Sequence, residues 1–297
     1  MRRSVFVLLA ALSPVACSDS SGPGGQSRVT VHLTDAPGDV EAAVVTISEV
    51  YLQGSEGRVT LSDDDVTVDL LDLANSTAVI VDEAVVPEGN YSELRFVITG
   101  AYVEVENGSG GTDIYASSPN YSGLPAGATV TGDLQMPSLS QSGLKVEIVD
   151  GDLEVTEDED ILVDFDVSQS FGHLAGQSGK WVMHPVVKGA VFTQAASLTT
   201  TLSLAQGVTL PTVGGNAVTL GLFKAELEGE QVTFTDADNN GTFEAQFRFL
   251  LPGTYTLKII APTGVTITTN PASPIEVTIG TGATATQAVT IASASAG

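Results

Sequence analysis

The chain has 297 residues, 42% hydrophobic but only 6% aromatic, with 31 glycines. This composition supplies cores of Val, Ile, Leu and Ala and favours strands and turns over helices. A formal net charge of −25 argues against a nucleic-acid partner and against anionic headgroups, attracts cations, and suits solubility in a salty or exposed environment.

The N-terminus reads as a targeting segment. Met1-Arg2-Arg3 is basic, and Ser4 to Leu12 is an apolar run too short to span a bilayer as a permanent helix. Small Ala16 then precedes Cys17, the only cysteine, so no intrachain disulfide is available. Removing residues 1–16 takes Arg2 and Arg3 with them, lowering Lys+Arg from 11 to 9 against 36 acidic residues, a net charge of −27. The Val15-Ala16-Cys17 arrangement resembles the lipobox of bacterial lipoproteins, although Pro14 stands where that family favours Leu. The resemblance implies cleavage before Cys17 and acylation of its thiol and new amine, which together give stable anchoring. An ordinary secretory signal with an incidental cysteine is the competing reading. Residues 17–27, rich in Ser and Gly, read as a flexible tether. Ser18 is not the Asp associated with inner-membrane retention, so the resemblance points to the outer membrane.

From Arg28 onward, apolar and polar residues alternate with period two, broken by Gly, Pro, Asn and Asp. Strands are predicted at Val29–Leu33, Leu94–Val105, Leu144–Ile148, Ile161–Val167 and Trp181–Phe192. Val68–Ala74 has room for one or two helical turns. Composition shifts near Thr193–Ser197: residues 18–195 carry 29 acidic and 6 basic side chains, residues 196–297 carry 7 and 3. The second segment has strand patterns at Leu198–Leu204, Ala217–Glu226, Gln231–Thr235, Thr242–Phe249, Thr254–Ala261 and Ile275–Ile279. The chain is therefore expected to be all-β, with two tandem antiparallel β-sandwiches over 28–195 and 196–297. Each half has a Pro-Gly turn that opens a strand on a tyrosine: Pro87 to Tyr91 and Pro252 to Tyr255. Each hydroxyl is expected to reach a nearby backbone group, as in a tyrosine corner.

Three groups of acids are candidates for chemistry. Asp236, Asp238 and Asn240 stand at positions 1, 3 and 5 of a calcium-loop spacing, followed by Gly241, with Glu244 beyond. Phe247 fills the place of the bidentate Glu, and a polar hairpin turn at Asn240-Gly241 accounts for the same residues. Asp164 and Asp166, two apart, project from one face of a strand while Val163, Phe165 and Val167 take the other. Paired carboxylates serve cation binding or acid/base work; a solvated outer face is the alternative. Asp35 is explained by an Asx turn before Pro37-Gly38, and the acidic runs 63–65 and 157–160 by exposed loops. His32, His173 and His184 lack metal-ligand spacing, and Trp181 is expected in the core.

The segment from Arg28 to Phe192 resembles a family of exported bacterial chains known as domain of unknown function 4382. The resemblance is carried by Leu33-Thr34-Asp35-Ala36-Pro37, Val68-Asp69-Leu70-Leu71-Asp72-Leu73, Met136-Pro137-Ser138 and Val163-Asp164-Phe165-Asp166. The segment from Ala196 to Ala292 is similar to prealbumin-like modules of the carboxypeptidase-regulatory and collagen-adhesin B types, through Gly241, Phe243, Phe247 and Pro252-Gly253-Thr254-Tyr255. Such modules are usually spacers or adhesive stalks. The expectation is a lipid-anchored, non-catalytic cell-envelope protein. Its acidic first domain binds a glycan or protein, and its second domain is a spacer. It requires no cofactor, calcium being the one candidate, and its membrane contact runs through the lipid on Cys17. A purely structural envelope component and a glycan-active enzyme using paired carboxylates are the competing readings.

Overall fold

A computed structural model describes residues 25–35, 40–140, 142–149, 151–171, 179–237 and 239–297. Cys17, Asp39, His173 and Asp238 lie outside the described residues.

The first body contains β1 (Gln26–Thr34), β2 (Ala42–Gly54), β3 (Gly57–Ser62), β4 (Val66–Asp69), β5 (Ala78–Pro87), β6 (Gly89–Glu106) and β7 (Thr112–Ala116). It continues with β8 (Gly132–Gln135), β9 (Leu144–Ile148), β10 (Leu153–Val155), β11 (Glu159–Phe165), β12 (Trp181–Val182) and β13 (Val187–Val191). These pair in the order β12-β8-β7-β6-β9-β13-β11-β1-β5, with β2 joining β6 and carrying β3 and β4. Val29, Val31 and Leu33 on β1 share one core with Ile47 and Leu52 on β2 and Phe96 and Ile98 on β6, so the sheet folds back over itself.

The second body contains β14 (Ala196–Leu204), β15 (Thr212–Val213), β16 (Asn216–Ala217), β17 (Lys224–Leu227), β18 (Glu230–Thr233) and β19 (Phe243–Leu250). Then come β20 (Gly253–Ile260), β21 (Val265–Asn270), β22 (Ile275–Ile279) and β23 (Thr284–Ala296). Two four-stranded sheets, β19-β14-β23-β21 and β18-β17-β20-β22, enclose Leu198, Leu202 and Phe247 from one side and Ala225, Leu257 and Val277 from the other. This is a β-sandwich in which alternate residues of each strand fill the space between the sheets.

The pattern and the structure differ at three places. Strand pairing begins at Gln26, inside the expected tether, because Gln26 and Ser27 align with Pro87 and Val86 of β5. The run Trp181–Phe192 splits into β12 and β13 around Pro185, whose missing N–H interrupts a ladder. The strand expected to reach Val167 stops at Phe165, because Asp166 caps a single helical turn, α1 (Val167–Ser170), by accepting the Gln169 N–H at 2.9 Å. Most pairings are antiparallel, with parallel ones such as β1–β11, β9–β13 and β14–β23.

The two bodies meet along a seam. Leu162 and Ala190 of the first are buried with Leu251 of the second, flanked by Phe192, Ala195 and Phe249. Beside this apolar strip, Asn75 accepts the Arg248 N–H at 2.6 Å.

Candidate functional site

The seam also gathers carboxylates. Asp164 near the end of β11 is paired in register with Lys188 of β13, and its side chain leaves the face opposite the buried Val163 and Phe165. That face, with Asp166 beyond it, is covered by the second body rather than open to bulk solvent. Asp164 and Asp166 line a pocket of about 190 Å³ with Lys188, Glu228, Thr254 and Tyr255. A smaller chamber of about 20 Å³ shares Asp164, Glu228 and Tyr255 and is lined as well by Asp35, Glu230 and Arg248.

Asp35 lies at the end of β1 and is only 4% exposed. Its role is long-range: Oδ1 accepts the Val167 N–H at 3.1 Å, across 132 residues, and its backbone bridges to Ala74. Burial is the largest effect on its carboxyl. The Val167 bond partly opposes burial, and nearby Asp164, Asp166 and Glu230 reinforce it, so its pKa is pushed up to about 9. Glu230 reaches the seam through the hairpin joining β17 to β18. Leu227 pairs with Glu230, leaving Glu228 and Gly229 as a two-residue loop with φ of 47° and 98°. That is the left-handed pair a type I′ turn requires. The turn places Glu230 inward, 6% exposed, and burial followed by Asp164 pushes its pKa up to about 8. Glu228 accepts the Thr256 N–H at 2.8 Å. Tyr255 is held by its own hydroxyl, which donates to the Leu251 carbonyl at 2.6 Å. Burial and then Asp164 raise the pKa of this phenol.

Both expected tyrosine corners are present: Tyr91 donates to the Pro87 carbonyl at 2.6 Å, four residues upstream, as Tyr255 does to Leu251. The described residues around Asn240-Gly241 make turn-type bonds. Asp236 accepts the Asn240 N–H at 2.9 Å and the Gly241 N–H at 3.0 Å, and Asn240 Oδ1 accepts the Thr242 N–H at 2.7 Å. Glu244 sits on β19 opposite Thr201, and Phe247 is in the core. Among the described residues no three acidic, His or Cys side chains are grouped to hold a metal ion. The acidic run 157–160 is only partly a loop, since Glu159 and Asp160 open β11 beside Val29 and Thr30. His32 packs its ring against Phe192 at 4.7 Å, and Trp181 is buried against Tyr115 at 5.0 Å. Asp35 and Glu230 are the seam residues that sequence reasoning missed. An acid directly after the Glu228-Gly229 turn was the available signal for Glu230; nothing local marked Asp35.

The strand pairings and paired cores define an all-β protein of sandwich type. Within that class, the chain belongs to the family described as Domain of unknown function (DUF4382), whose model matches residues 26–185. No curated protein matches the chain. Among solved structures it is similar to the Bacillus anthracis TIE protein, at 14% identity over 92% of this chain with a TM-score of 0.24. It spans 42% of the length of that protein. It is similar also to GBS52, the minor pilin of Streptococcus agalactiae, at 11% identity over 88% of this chain and 94% of the pilin, with a TM-score of 0.21. The shaft pilin SpaA of Lactobacillus rhamnosus GG is 9% identical over 90% of this chain and 98% of the pilin, with a TM-score of 0.19. Scores at this level define no shared arrangement, and the fold rests on the strand pairings above.

Proposed function

We propose that this chain is a non-catalytic binding module of the bacterial cell envelope, anchored through a lipid on Cys17, with its ligand site at the seam between the two bodies. One observation carries the reading: the 190 Å³ pocket to which both bodies contribute, acidic through Asp164, Asp166 and Glu228 and offering Lys188 and Thr254 as donors. Clefts between packed bodies are preferred binding positions, and a few convergent polar groups fix a ligand's orientation. Carboxylates beside an ammonium and a hydroxyl suit a polar ligand, a glycan or a protein segment presenting hydroxyl or cationic groups. Export rests on Arg2, Arg3, the apolar run to Leu12 and the Ala16-Cys17 junction, and outer-membrane placement on Ser18 in place of a retention Asp. The second body then serves as one wall of the site as well as a spacer.

The test is a binding screen of the soluble body lacking residues 1–17 on glycan and peptide arrays, with Asp164→Asn in parallel. Hits lost in the variant support the seam. A hit unaffected by Asp164→Asn places the ligand elsewhere, and sustained product release abolished by it makes the chain an enzyme.

A further inference from the structure

The small chamber of the seam holds a charge problem. Asp35 from the first body and Glu230 from the second are both more than nine-tenths buried and both line it, together with Asp164. Asp35 Oδ2 and Glu230 Oε1 have no hydrogen-bond partner among the described residues. A buried carboxylate with an unpaired oxygen is expensive to keep charged, and neutralising it relieves that cost.

Among the described residues, none of the neighbouring donors is bonded to Asp35 Oδ2 or Glu230 Oε1. The Tyr255 hydroxyl is given to Leu251, and the Thr34 hydroxyl to the carbonyls of Ser76 and Leu73 at 2.8 and 3.3 Å. The Arg248 guanidinium is turned to Gln246, bonding its Oε1 through Nε at 3.0 Å and Nη2 at 2.9 Å. Lys188 lines the adjoining larger pocket and is exposed. The other charged groups facing the pair, Asp164 on β11, Asp166 at the start of α1 and Glu228 in the β17–β18 turn, add to the negative charge. No described group of acids is placed to hold a metal ion there. A proton neutralises a buried carboxylate without any such partner.

We propose that the seam is a proton-operated latch: Asp35 and Glu230 are protonated while the two bodies are docked, and their ionisation as pH rises loosens the docking. The raised acidities of both groups agree in direction, about 9 for Asp35 and about 8 for Glu230. The latch is independent of whether the larger pocket binds a ligand. For an acid whose pKa is raised on docking, the docked state holds more protons than the undocked state between the two values. Docking is therefore favoured at low pH and weakens as pH rises toward the raised values, about 8 for Glu230 and about 9 for Asp35. Within that window each group weakens the docking equilibrium by up to about tenfold per pH unit.

The experiment is small-angle scattering and thermal melting of the soluble two-body protein from about pH 5 to about pH 10, with a chelator throughout so that no cation replaces the proton. The expected result is expansion and a falling melting temperature as pH rises, with both responses flattened in the Asp35→Asn/Glu230→Gln double variant, whose amides stay neutral. Infrared spectra of the unmutated protein give a readout that does not depend on the variant folding: protonated-carboxyl carbonyl bands present near neutrality and absent at the alkaline end. A pH-independent scattering profile, an undiminished response in a folded double variant, or no protonated-carboxyl band near neutrality would each overturn the latch.

Discussion

Tyr255 donates its hydroxyl to the Leu251 carbonyl at 2.6 Å, and Leu251 is the residue that the second body buries against Leu162 and Ala190 of the first. One hydrogen bond thus ties the wall of the acidic pocket to the apolar strip that docks the bodies. Tyr91 makes the same bond to Pro87 with no interdomain role, which gives an internal control. Tyr255→Phe and Tyr91→Phe are each expected to lower stability by about 1 kcal/mol in chemical denaturation, the usual net worth of such a bond. Only Tyr255→Phe should also change the scattering profile. Equal effects of both on scattering would detach Tyr255 from docking.

Leu251 itself offers a stronger perturbation. It is buried at the seam, so Leu251→Ala is expected to cost about 2–5 kcal/mol, the range for emptying a packed leucine site. The loss should fall on docking: scattering should show separated bodies while circular dichroism keeps its strand signal. A compact variant with an unchanged profile would mean that the apolar strip does not hold the bodies together.

The Asp236 loop gives a metal test. Both carboxylate oxygens already accept backbone N–H groups, and these bonds hold the turn without an ion. The melting temperature is expected to be the same in calcium and in chelator, and Asp236→Ala to cost about 1 kcal/mol through the lost turn bonds. A rise in melting temperature with calcium that Asp236→Ala abolishes would instead assign the ion to this loop.

Acid pH acts through different residues. Glu93 is held below its ordinary value chiefly by its bond to Arg95, and Glu226 chiefly by its bond to Lys258. A depressed carboxyl contributes stability that is present above its unfolded value and lost as pH falls through its folded value. Arg95→Gln is therefore expected to flatten the acid limb of the melting curve and to leave the alkaline limb, governed by Asp35 and Glu230, unchanged. A change confined to the alkaline limb would contradict this division.

The features legible in the sequence were those set by local rules. The β1 alternation buried Val29, Val31 and Leu33, and the two Pro-Gly-Tyr turns announced their hydroxyl bonds because a tyrosine four residues past a carbonyl needs only local geometry. The split of Trp181–Phe192 was also written locally, in Pro185. The acidic seam was different. Asp164 and Asp166 showed themselves as a pair by period two, but what covers them comes from residues near 230 and 255, and no sequence pattern reports a contact across such separations. Asp35 was read as a turn residue because Pro37-Gly38 follows it; its partner at Val167 is 132 residues away. Burial of a polar residue is a tertiary fact, and only long-range placement shows it.

Intact mass of the protein extracted from membranes tests the anchored-module account most directly. A mature chain beginning at Cys17, heavier than its sequence by a diacylglycerol and an amide-linked acyl chain, is the predicted result. A chain beginning at another residue, or an unmodified Cys17, would contradict it.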